Sequence, residues 1–162
     1  MMELFLVRHA IAAPRSPMLL DAERPLTRQG RERFGQAVAG LQRLGVRLRQ
    51  VHHSPRLRAV ETAALLTPVL KGDLLPTQAL ARPPAAALLH EIEQTPAALV
   101  GHEPWMSELL AWLITGSPAA GARLAFKKGG VAWLEGPLRP GGMVLRAHLP
   151  PKVLRALGGA GG

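Results

Sequence analysis

The stretch ELFLVRHA (residues 3–10) decides how the chain reads. Four consecutive apolar residues, Leu4 to Val7, stop at Arg8 and His9. A short unbroken apolar run fits a strand buried on both faces, as in a parallel sheet. Its polar end admits two readings. One is an ordinary strand edge; the other is a cation and a nucleophile set at the carboxyl end of a central strand. What stands at the other strand ends separates them.

Two further segments repeat the pattern. RQVHHS (49–54) reads as a short strand, and Pro55 after it suits a first helical turn that carries Arg56 and Arg58. AALVGH (97–102) reads as a third buried strand and ends at His102, after which Pro104 opens a helix. Thr27 is the expected N-cap of a helix with Phe34, Ala37, Val38, Leu41 and Leu44 on one face, stopped by Gly45. Leu57, Val60, Ala64 and Leu65 give the helix after Pro55 an apolar face up to about Thr67. A helix is expected over 84–94. Another is expected to carry Trp105, Leu109, Trp112 and Leu113, both tryptophans facing the core, with Gly116 as its end. Segment 71–82 reads as loop with room for one edge strand. RLAFK (123–127), GVAWLEG (130–136) and MVLRAHL (143–149) read as strands.

Strands alternating with helices imply an α/β fold, a three-layer α/β/α sandwich with a mostly parallel central sheet. One domain over 1–157 is expected, with the Gly-rich 158–162 as a flexible tail. The length of 162 residues, 48% apolar, suffices for one core. No apolar run reaches the ~18 residues of a membrane span. Glu3 and Arg8 do not suit a secretory signal, so a cytoplasmic location is expected. The absence of cysteine excludes disulfides, a thiol nucleophile and cysteine-ligated metals. The six histidines form no HExxH-type pair, so neither a metal nor another cofactor is expected. The net charge of +9 suits nucleic acid or an anionic substrate. However, the arginines are dispersed, tyrosine is absent and there are three phenylalanines, which argues against base stacking and a nucleic-acid partner.

In open α/β sheets ligands bind beyond the carboxyl ends of the strands. That rule gathers Arg8, His9, Arg58 and His102 on one sheet edge, beside the helix start after Pro55. Such a set is an anion site, since an Arg fork matches two phosphoryl oxygens and stays charged. His52, His53, His90 and His148 lack this context and read as structural or surface residues.

LVRHA, LTRQG, HSPRLRAVETA and LVGHEP, in this order over about residues 3–135, resemble the histidine phosphatase superfamily, also called phosphoglycerate mutase-like. The short chain and DAERPLTRQG (21–30) are most similar to the SixA-type phosphohistidine phosphatases. The resemblance implies a phosphoglycerate mutase-like fold. It implies His9 as the nucleophile that becomes a phosphohistidine, Arg8 and Arg58 gripping phosphoryl oxygens, and His102 donating a hydrogen bond to a transferring oxygen. Thr62, one turn beyond Arg58, either supports that turn or is an ordinary helix-surface residue.

The departures from the family pattern are informative. Ala10 replaces the usual Gly after the histidine, so no positive φ is expected there. Glu61 stands where Gln is common, with altered contacts near Arg58 expected. Many relatives that cleave phosphate esters carry an acid in the region that here reads QALARPPAAALLHE (78–91), with no carboxylate before Glu91. Glu23, Glu91 and Glu103 are the carboxylates that folding could bring in, Glu103 more naturally facing the helix start beside Pro104.

An alkoxide leaving group needs a general acid, whereas imidazole, with its conjugate acid near pKa ~6.5, does not. The expected function is therefore a metal-independent phosphatase acting on protein phosphohistidine, with a histidine-containing phosphotransfer domain as a fitting partner. Small phosphate monoesters are the alternative substrates, and a non-catalytic anion- or nucleic-acid-binding protein is the third reading. Arg15, Arg56, Lys127 and Lys128 form either a basic rim for an acidic partner or solvated charge.

Overall fold

Leu4 to Val7 are buried at the centre of the molecule, in β1 (Glu3–Arg8). The structure, a computed structural model, describes residues 2–160. The other strands are β2 (Leu48–His53), β3 (Leu70–Pro76), β4 (Ala97–Gly101), β5 (Val131–Glu135) and β6 (Val144–Leu149). They form one sheet in the order β3-β2-β4-β1-β5-β6. β2 lies parallel to β3 and β4, and β4 parallel to β1; β5 and β6 run antiparallel.

The helices are α1 (Arg28–Arg43), α2 (Leu57–Ala64), α3 (Ala86–His90), α4 (Trp105–Thr115) and α5 (Pro151–Leu157). Alternate residues of a strand point to opposite faces, so β1 feeds two cores. Phe5 and Val7 join Phe34, Ala59 and Leu154 beneath α1, α2 and α5. Leu4 and Leu6 join Leu88, Leu109 and Leu113 beneath α3 and α4. This is the three-layer α/β/α sandwich with a mostly parallel sheet that the sequence leads one to expect.

Local chemistry sets several boundaries. Thr27 caps α1 through its Oγ1, which accepts from the Gly30 N–H, and Gly45 at φ +78° ends the helical path. Gly40 on α1 meets α5 so closely that an added Cβ would lie 2.0 Å from the Leu154 carbonyl oxygen. Gly35, on the same helix, has nothing within 4 Å of that position. Gly40→Ala is therefore expected to destabilise the fold by about 2 kcal/mol, lowering Tm by about 5 °C. Gly35→Ala should leave Tm unchanged or raise it, because Ala favours a helix over Gly. Thermal unfolding followed by circular dichroism compares the two.

Some expectations need correction. RLAFK is not a strand: residues Pro118–Leu124 form a 3-10 turn started by Ser117. The Phe126 backbone is engaged instead by side chains, its N–H donating to Glu103 Oε2 and its carbonyl accepting from Arg8 Nη1. The helix expected over 84–94 is only α3, and segment 71–82 supplies the edge strand β3. Pro55 precedes α2 rather than lying in its first turn. α5 was not expected; the start of the assigned tail is its cap, with the Gly158 N–H donating to the Leu154 carbonyl. Residues 161 and 162 of that tail lie outside the described residues.

Candidate active site

β2, β4 and β1 are neighbours and parallel, so their carboxyl ends finish side by side. The register pairs Arg8 with Gly101 and His53 with Val100. The His9 N–H then donates to the Gly101 carbonyl (3.0 Å) and the Ser54 N–H to that of Val100 (3.0 Å). The ladder thus carries one residue beyond each strand. It brings His9 against His102, with ring centroids 5.3 Å apart. Arg58 enters from the first turn of α2, its side chain almost fully buried.

The His9 ring is fixed by Nδ1, 2.7 Å from the Ala10 carbonyl oxygen. A carbonyl only accepts, so the proton is assigned to Nδ1 and the lone pair to Nε2. Burial pushes the His9 pKa down from 6.5 to about 4, partly offset by the Ala10 hydrogen bond and reinforced by the charges of Arg58, Arg8 and Lys128. Burial, together with His9 and Arg58, lowers that of His102 to about 3. Both rings are therefore neutral near pH 7.

Ser54 was not foreseen as part of this arrangement. Its Oγ accepts from the Arg56 N–H (3.2 Å) and lies 2.7 Å from His102 Nε2. Among the described residues no other acceptor lies in reach of the Ser54 hydroxyl, so its O–H is assigned as donor to Nε2, which leaves the His102 proton on Nδ1. Thr62 is not an ordinary surface residue: fully buried, its Oγ1 accepts from the Ala10 N–H and donates to the Arg58 carbonyl. It ties the turn after His9 to the turn that holds Arg58. Ala10 indeed needs no positive φ.

Asp21 is the main residue missed. Arg58 donates from Nη1 to the Asp21 carbonyl (2.8 Å) and from Nη2 to its Oδ2 (3.1 Å). Partial burial alone would raise the Asp21 pKa, but Arg58 and then Arg24 bring it below the usual carboxylate range. Arg15 and Arg56 lie 3.7 and 3.9 Å from the same carboxylate. Arg56 also stands over the half-buried Trp105, 5.4 Å from its centroid, and Trp105 meets His102 edge-on. Trp105 is thus part of the rim, not the core; Trp112 is partly buried against the core as expected.

Glu103 faces the start of α4 as expected, accepting from the N–H groups of Ser107 and Phe126. Glu61 contacts the Leu26 N–H and Arg31 rather than Arg58. His52 lies in a buried network with Gln50 and Thr77, consistent with a structural role.

Among the described residues, three buried side-chain nitrogens have no hydrogen-bond partner: Arg8 Nε, Arg58 Nε and His102 Nδ1. All belong to the residues that surround His9. Unpaired buried donors are costly, and three of them in one place suit an oxyanion. Among the described residues no cluster of three or more His, Cys, Asp or Glu is gathered in metal-binding fashion, and no helix is long and apolar enough to cross a membrane.

No protein-family model matches the chain. An uncharacterized protein of Picosynechococcus is 36% identical over 157 residues, which cover 91% of this chain and 90% of that protein. Among solved structures, the protein histidine phosphatase SixA complexed with tungstate aligns with a TM-score of 0.76 at 21% identity, over 93% of this chain and 98% of its own. Alpha-ribazole phosphatase from Shigella flexneri aligns at 0.70 with 17% identity, over 93% and 97%. A phosphoserine phosphatase from Entamoeba histolytica aligns at 0.70 with 14% identity, over 95% and 100%. At these identities the likeness is one of fold. The chain shares a family with the Picosynechococcus protein and has the phosphoglycerate mutase-like fold of its structural neighbours, SixA phosphohistidine phosphatases among them.

Proposed function

We propose that the protein is a phosphatase that passes a phosphoryl group through His9 and prefers protein phosphohistidine as substrate. The observation that carries the first part is the set of three unpaired donors around a neutral histidine. His9 Nε2 attacks phosphorus in line, and the bond to the leaving group breaks as the N–P bond forms. Arg8 and Arg58 hold the equatorial oxygens, and the His102 Nδ1–H donates to a transferring oxygen. Water then attacks the phosphohistidine, and His9 departs with the N–P electron pair as a neutral ring. A protein of the same fold, the histidine phosphatase SixA, is found in complex with tungstate, a tetrahedral oxyanion, which supports an oxyanion as the ligand.

The substrate preference rests on the carboxylates. Asp21, which contacts a site residue, is held ionised by Arg58 and Arg24 and is a poor proton donor near pH 7. Glu103 already accepts from two backbone N–H groups. A protonated phosphohistidine needs no further acid to lose its imidazole, whereas a sugar phosphate does. The decisive comparison is kcat/KM for a phosphorylated histidine-containing phosphotransfer domain against sugar phosphates and nucleotides. The phosphohistidine protein is expected to win by at least about a hundredfold, the lower range of general-acid effects. A monoester that matches it would overturn this preference in favour of a small-molecule phosphatase.

The protonation states give a separate prediction. Burial disfavours the imidazolium, so in the folded protein His9 and His102 stay neutral well below pH 6.5. Heteronuclear NMR of the ring nitrogens should place the His9 midpoint near pH 4 in the free protein. Bound inorganic phosphate should raise it, because an anion favours the charged ring. These depressed values also stabilise the fold above the unfolded histidine pKa, and that stability is lost as pH falls from about 6.5 towards 4. A midpoint at or above 6.5 without phosphate would contradict the buried, neutral nucleophile.

A further inference from the structure

Five cations surround one groove on the sheet face covered by α1 and α5. Arg33, Lys127, Lys128, Lys152 and Arg155 line it, and among the described residues none has a carboxylate within ion-pair distance. Among the described residues no Asp or Glu lines the groove. Its apolar contribution comes from Ile11, Phe34, Pro150 and Pro151, and its volume is about 660 Å³. Arg8 and Ala10, the residues on either side of His9, also line it, so the groove reaches the strand end that carries the nucleophile. The charge of Lys128 is felt at the His9 ring.

We propose that this groove docks an acidic, partly apolar segment of the phosphorylated protein whose phosphoryl group His9 receives. The proposal rests on the protein-substrate reading above and names the chemistry that would select the partner. Charge complementarity is the first argument: five unpaired cations and no anion favour carboxylates, and steer a negative partner to this side. The second is the lining. Its buried members are Ala10, Gly30, Phe34 and Gly129, none with a polar side chain. A small-ligand site has a few fixed polar groups converging on it, whereas here the charges are mostly exposed tips around apolar contacts. The third concerns nucleic acid. Phe34, the aromatic residue of the lining, is 2% exposed and offers no stacking platform.

The test uses fluorescence anisotropy with a dye-labelled peptide that alternates glutamate and leucine. The wild-type protein is compared with the variant R33E/K127E/K152E, three exposed positions outside the phosphoryl site. The wild type should bind the peptide, and the variant should bind it at least about tenfold more weakly, a modest sum of exposed charge pairs. Added salt should weaken the wild-type complex. A second readout needs no variant: replacing the glutamates by glutamine should abolish binding, and replacing the leucines by serine should weaken it. Hydrolysis of free phosphohistidine should be unchanged in the variant, which shows that its site is intact.

Failure to bind, equal binding by the variant, or tight binding of the glutamine peptide would overturn the groove. Tighter binding of a single-stranded oligonucleotide at the same salt, with displacement of the peptide, would replace the protein partner by nucleic acid. If the glutamate peptide binds as described but no phosphohistidine protein is hydrolysed, the groove stands and the substrate reading of the preceding section fails.

Discussion

His9→Ala is expected to lower kcat/KM by at least about 10⁴-fold, the scale of losing a nucleophile, while phosphate binding changes little. The two parts of this result have separate causes. The ring is anchored by its Nδ1 on the Ala10 carbonyl, so Nε2 is the nitrogen left to attack. Burial and the neighbouring cations keep it neutral, hence nucleophilic, throughout the working pH range. The atoms proposed to hold the anion belong to other residues, Arg8, Arg58 and His102, which the substitution does not touch. Turnover should therefore vanish while inorganic phosphate still competes for the site. Turnover measured beside a phosphate inhibition constant checks both. Substantial residual activity would mean that phosphorus is attacked by water or by another group.

Arg58→Ala is expected to cost about 10²–10³-fold in kcat/KM, the range for loss of one preorganised donor. Arg58 is held by two bonds to Asp21, to its carbonyl and its carboxylate, which leave Nε without a partner. One fork thus spans the Asp21 turn and the proposed anion position. A lysine carries the charge but not the fork, so Arg58→Lys should recover less than about a tenth of the loss. Steady-state kinetics on one substrate compares the three proteins. Full recovery by lysine would show that charge alone matters and that the Asp21 anchor has no catalytic consequence.

The sheet edge was legible because its determinants are local. Each of β1, β2 and β4 is a short apolar run followed at once by its polar residue, and parallel pairing forces those ends together. Asp21 was not legible in the same way, for it meets Arg58 across 37 residues and lies in a loop without periodicity. Ser54 and Thr62 act through their hydroxyls on groups 48 and 52 residues away, His102 and the Ala10 N–H. RLAFK alternates like a strand, yet Arg8 and Glu103 occupy the backbone groups of Phe126 that a ladder would need. α5 was readable in retrospect from Pro151 in its first turn and Gly158 at its end. The fold class needed only patterning, whereas the supports of the site needed three dimensions.

The most direct test of the account is the position of the phosphoryl group during turnover. The protein is mixed with a phosphodonor, quenched in alkali and digested, and its phosphopeptides are sequenced by mass spectrometry, with phosphorus NMR to assign the ring nitrogen. Acid-labile, alkali-stable phosphate on Nε2 of His9, absent from His9→Ala, is the predicted result. Phosphate on another residue, or turnover by the wild type with His9 unmodified at every quench time, would contradict it.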